Sequence, residues 1–163
     1  MLARVEVENA HGSVLSLPLY GDDNVYQVMD ITGLDPVEVD FSTIKHVDVD
    51  GTEYQSASRG NRNLVFDIAF NPDYSTTQVS QLRTDLYKYF MPKQKVKLKF
   101  YDSDGDIFII EGRVESHDSP RFVSDPSSTI SILCFNPDFI MPNDISVNGT
   151  TTATNVTTTI DYL

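Results

Sequence analysis

Tryptophan is absent from this 163-residue chain, and cysteine occurs once, at Cys134. A lone cysteine excludes an intramolecular disulfide and fits assembly in a reducing cytoplasm. Long apolar runs are also missing: none approaches the roughly 20 residues that span a bilayer, so no membrane partner is expected. Met1 to Glu8 alternates charge with valine and lacks the apolar core of a signal peptide. Basic residues are scarce, 12 Lys plus Arg against 24 Asp plus Glu, for a formal net charge of -12. Such a surface repels phosphate backbones, which argues against sequence-specific nucleic-acid binding. The three histidines, His11, His46 and His117, are scattered and have no i, i+4 helical spacing for zinc. They are expected in solvated turns and weak segments. No nucleophile–base pair or metal-ligand cluster stands out, so neither an enzyme nor a cofactor is expected.

Residues 63 to 115 carry the clearest pattern. Leu64, Phe66, Ile68 and Phe70 alternate with Val65, Asp67 and Ala69, a strand with one strongly apolar face. Asn71-Pro72-Asp73 ends it. A helix is then expected, with Ser75 as N-cap, Gln78 completing a capping box, and Val79, Leu82, Leu86 and Tyr89 or Phe90 on one stripe. Met91-Pro92 stops that helix. Lys93, Lys95, Lys97 and Lys99 next alternate with Gln94, Val96, Leu98 and Phe100, and Ile107 to Glu115 returns as a partner strand. The intervening Asp102-Ser103-Asp104-Gly105-Asp106 has the look of a calcium loop. Its glycine is fourth rather than sixth, and its twelfth position is Arg113 where a glutamate is needed, so a hairpin turn is the better reading.

Elsewhere, residues 4–8 and 14–19 read as a hairpin, with Pro18 placing its second strand at an edge. Residues 26–31 read as a strand and Gly33-Leu34-Asp35-Pro36 as a break. Val37, Val39 and Phe41 read as a half-buried strand, and His46 to Asp50 as a weaker one. Tyr54 to Arg62 has little apolar content and reads as an extended segment or long projecting hairpin arm. Residues 116–126 read as loop and 127–135 as a strand, with Cys134 a small core residue. From Pro142 the composition turns to Thr, Asn and Gly, which builds no core alone. The expectation is an α+β protein, mainly β. An antiparallel β-sandwich or split barrel would carry one helix on the sheet and a projecting hairpin arm. Residues 1–141 would form one domain, and 142–163 a Thr-rich linker or the first strand of another.

Several stretches taken in order resemble one family. They are Ile31 to Pro36, Ser58 to Leu64, Leu86-Tyr87-Lys88-Tyr89-Phe90 followed by the lysine-rich strand, Ile110 to Ser116, and Ser131 to Phe139. This series is similar to the N-terminal belt domain of distal tail proteins of long-tailed bacteriophages. The resemblance implies a homo-oligomeric ring, usually a hexamer, at the virion's tail tip. It would join the tail tube protein to the baseplate or tail fibre, pass DNA through its lumen, and be assembled in the host cytoplasm. It also implies an arm that contacts the next subunit. The candidate interface residues are therefore Gln55, Arg59, Asn61 and Arg62 on the arm. Lys95, Lys97 and Lys99 join them, either docking on acids of a neighbouring copy or merely keeping an edge strand from aggregating. Two other readings stay open: a tail-tube subunit, and a carbohydrate-binding β-sandwich for host attachment, against which the missing tryptophan counts.

Overall fold

A computed structural model of the protein describes residues 1–21 and 23–142. The Thr-rich segment expected as a linker or opening strand lies, from residue 143, outside the described residues.

Alternation in sequence becomes alternation in burial. In β6 (Arg62–Phe70), Leu64, Phe66, Ile68 and Phe70 are buried while Asn63, Val65, Asp67 and Ala69 face outward. The same division runs through β7 (Lys95–Asp102), where Val96, Leu98 and Phe100 go in and the lysines go out. Side chains of a strand point alternately to its two faces, so each strand contributes one row to a shared core. Among the described residues, seven strands do this in one antiparallel sheet. Its order is β2 (Val14–Pro18), β1 (Leu2–Asn9), β7, β8 (Ile107–Asp118), β9 (Ser127–Cys134), β6, β3 (Tyr26–Thr32). The edge strands β2 and β3 approach each other without sharing a ladder, so the barrel is split rather than closed. Pro18 ends edge strand β2, as expected of a residue that cannot donate to a ladder. A separate two-stranded sheet, β4 (Val39–Ile44) with β5 (Glu53–Arg59), forms the projecting arm.

Among the described residues there is one α-helix, α1 (Val79–Tyr87), which places Leu82 and Leu86 in the sheet's core together with Phe90. Phe66 links the layers: its ring lies 6.4 Å from Phe90 and 6.3 Å, stacked, from Phe100. A nine-residue helix is marginal by itself. Three strands bind carbonyls in and just after it. Tyr26 Oη donates to the Leu82 carbonyl at 2.7 Å, Asn9 Nδ2 to that of Lys88 at 3.1 Å, and His117 Nδ1 lies 3.0 Å from that of Phe90. A carbonyl only accepts, so Nδ1 carries the proton and Nε2 accepts from the Ser128 hydroxyl at 3.2 Å. Burial pushes the His117 pKa below its ordinary value and the Tyr26 phenol up to about 12. His117 is thus a half-buried strand residue, not the solvated loop residue expected.

Other expectations need correcting. Ser75 does not cap the helix. The Asp73 carboxylate takes both its hydroxyl, at 2.6 Å, and its backbone N–H, at 3.0 Å, so a turn intervenes. The helix begins only at Val79, with Gln78 as an N-cap that makes no side-chain bond. Asp wins this competition because its ionised carboxylate is the stronger acceptor. Strand β8 continues to Asp118, past the expected loop start, through a register shift between Val114 and Ser116. Within β8, Gly112 sits where a Cβ would meet Ile132 Cγ2 at 2.7 Å and Cys134 Sγ at 2.9 Å. Only glycine lets β9's core side chains fill that space. Cys134 is fully buried, and burial pushes its thiol up to about 11.

Candidate assembly surface

Every residue of β4 and β5 is exposed. The half-buried strand expected at Val37 to Phe41 is therefore an arm strand, and His46 to Asp50 is the turn at its tip rather than a strand. The arm pairs in register from Val39 opposite Arg59 to Ile44 opposite Glu53, with a shift at Ser42/Thr43. Six paired residues reach about 20 Å. Phe41 and Tyr54 meet edge to face at 6.3 Å, still largely in solvent. His46 Nε2 and Glu53 Oε2 lie 2.8 Å apart near the tip. Both outer edges of this two-stranded sheet are unpaired among the described residues. An isolated hairpin is marginal in water, and open edges invite pairing with another chain.

The arm's root is built differently. Gly33 has φ +89°, and a Cβ there would lie 1.9 Å from the Asn63 carbonyl oxygen, so no other residue fits. Arg62, only 7% exposed, donates from Nη1 to the carbonyls of Gly33 and Asp35, both at 2.6 Å, and from Nε to that of Pro137 at 2.8 Å. Its guanidinium stands 4.7 Å over the Phe139 ring. Arg59 forms a bidentate pair with Asp138, at 2.6 and 3.0 Å. That donation holds the Asp138 carboxyl below the usual carboxylate range. The chain segments entering and leaving the arm are thus tied to residues 136–139, which come after β9.

Of the expected interface residues, Gln55, Arg59 and Asn61 are exposed on or beside β5, whereas Arg62 is buried in the root and offers no charge to a neighbour. Its partners lie 27 to 75 residues away in sequence, which no local pattern reveals. The lysines lie apart from the arm. β7 is an interior strand, third in the sheet, so edge protection is not their role. Lys99 is opposite Glu6, and Lys97 is flanked by Glu8 and Glu111. Lys95 Nζ bonds Glu111 at 2.7 Å, which lowers the Glu111 carboxyl. The row thus lies opposite glutamates of its own sheet, and Lys95–Glu111 is the ion pair it makes among the described residues. The Asp102 to Asp106 turn closes β7 to β8 around Gly105, and Asp102 also pairs with the N-terminal ammonium.

No family model matches the chain, and no curated protein matches it. Solved structures do. The Dit protein (gp 19.1) of SPP1, described as a paradigm of hub adsorption apparatus in phages infecting Gram-positive bacteria, aligns with a TM-score of 0.59 and 18% identity. The alignment covers 85% of this chain and 52% of that one. The phage P2 baseplate in its activated, calcium-bound conformation aligns at 0.60 and 10% identity, over 81% of this chain and 44% of the other. The chain shares its fold with these phage hub and baseplate structures. It spans about half the length of these neighbours.

Proposed function

We propose that the protein is a structural subunit of a phage tail tip. It closes with sister copies into a ring, most simply a hexamer, that connects the tail tube to the baseplate or tail fibre. The single observation behind this reading is the arm: two strands that, among the described residues, have no core and both edges open, with apolar side chains in water on a tied root. A structure that spends this much exposed surface is completed by a neighbour, and in a cyclic assembly the same patch pair repeats until the ring closes. The tail-hub fold supports the setting, and the role is structural rather than catalytic. Residues 1–141 form the ring domain, and 142–163 serve as a linker or as the opening strand of a further domain. Gln55, Arg59 and Asn61 face the neighbour, and Arg62 holds the arm at its angle. Lys95, Lys97 and Lys99, set beside glutamates of their own sheet, add at most a salt-sensitive contribution. Acids in excess over bases line the lumen and let DNA slide without sticking.

The test is electron microscopy of the purified protein, alone and with residues 40–57 replaced by a short Gly-Ser turn. Closed rings from the intact protein and monomers from the shortened one support the reading. Stacked tubes would favour a tail-tube subunit instead, and a ring with a neutral or basic channel would remove the proposed passage for DNA.

A further inference from the structure

A cleft of about 270 Å³ lies between the start of α1 and the loop of residues 119–126 that joins β8 to β9. Arg83 and Arg121 line it, with Tyr74, Val123 and Ser124. Acids outnumber bases two to one in this chain, 24 to 12, yet neither arginine has a carboxylate partner among the described residues. Asp118 and Asp125 are close in sequence but pair with neither. Arg83 is held in place by the Ser119 hydroxyl at 2.8 Å and the Pro120 carbonyl at 3.1 Å, which leaves its Nη1 unused among the described residues. Beside the cleft, Phe122 is 100% exposed, and Tyr74 and Val123 are also open to solvent.

The arm tip is complementary. Val47-Asp48-Val49-Asp50 presents two carboxylates without partners among the described residues and two exposed valines, Val47 at 96%. Within one copy the two surfaces do not meet, since Val47 and Phe122 are both essentially bare. We propose that the tip of one copy's arm seats in this cleft on the next copy. Asp48 and Asp50 are received by Arg83 and Arg121, and Val47 and Val49 lie against Phe122 and Tyr74. Two pairs of opposite charges fix orientation, and the apolar contacts supply the area that isolated surface ion pairs lack. This rests on the ring reading and adds the acceptor surface to it.

A charge exchange tests it. Arg121→Glu and the double change Asp48→Lys/Asp50→Lys each alter exposed side chains, and circular dichroism checks that the fold persists. In sedimentation experiments each should weaken self-association about tenfold or more, and combining them in one chain should restore most of the loss. In parallel, Val47→Cys and Phe122→Cys, mixed and oxidised, should give intersubunit disulfides that neither gives alone. Cys134 stays silent because it is buried. Rings that tolerate Arg121→Glu overturn the inference while leaving the ring standing. So does an association lost with each change alone and not regained in the combination, which would point to another acidic partner in the cleft. A wild-type protein that remains monomeric at high concentration overturns both.

Discussion

The body and the arm are made from similar strand lengths and opposite economies of burial. Each body strand sends one row of side chains into a common core, so β6 and β9 bury nearly every second residue. The arm's strands, 6 and 7 residues long, bury none. Hydrophobic burial therefore stabilises the body without help, whereas the arm is held by backbone pairing to itself and by a handful of bonds at its root. The body buries its apolar rows within one copy, and the arm leaves Phe41, Tyr54 and Val47 in water.

The sharpest way to break this division is at the joint. Gly33→Ala forces a Cβ into the Asn63 carbonyl at a positive φ, and should destabilise the whole protein by about 3 kcal/mol or more in urea unfolding. Next come matched truncations. Phe66→Ala in the core should cost about 3–5 kcal/mol of folding stability. Phe41→Ala on the arm should change folding stability by less than about 0.5 kcal/mol and show itself in weakened self-association instead. Equal effects on unfolding would erase the distinction between the two regions.

A smaller effect is expected from pH. Burial lowers the His117 pKa in the folded protein, whereas the unfolded side chain titrates near 6.5. The unfolded state therefore binds the proton first as pH falls. The contribution of His117 to stability is complete above about pH 6.5, is lost progressively below it, and levels off once pH passes the folded value. His117→Gln should flatten that part of the stability profile, while arm exposure stays unchanged. The smallest effect is expected from Arg59→Ala. Its pair with Asp138 is open to solvent, so the unfolding midpoint should hardly move, but amide exchange in β5 should quicken as the root loosens. Unaltered exchange would show that Arg62 and Gly33 hold the root without it.

The body was readable in the residues because burial on one face imposes a period of two, and Leu64 to Phe70 and Val96 to Phe100 keep it. Where that period misled, a local competitor was at work. The register shift after Val114 hides the end of β8, and Asp73 binds the serine that the capping pattern assigns to the helix start. Val37, Val39 and Phe41 copy the alternation of a half-buried strand although, among the described residues, no core lies under β4, because alternation records spacing and not company. The arm itself was legible from its poverty of apolar residues after Tyr54. Its anchor was not, since Arg62 reads as one more surface cation until three distant carbonyls are seen to converge on it. Phe122 was equally silent, a lone aromatic in a loop.

One measurement reaches the centre of the account: sedimentation velocity of the intact protein beside the version whose residues 40–57 are replaced by a short turn, at matched concentrations. A discrete closed oligomer is expected for the first and a folded monomer for the second, with its core transition preserved. A shortened protein that assembles as readily as the intact one would contradict it.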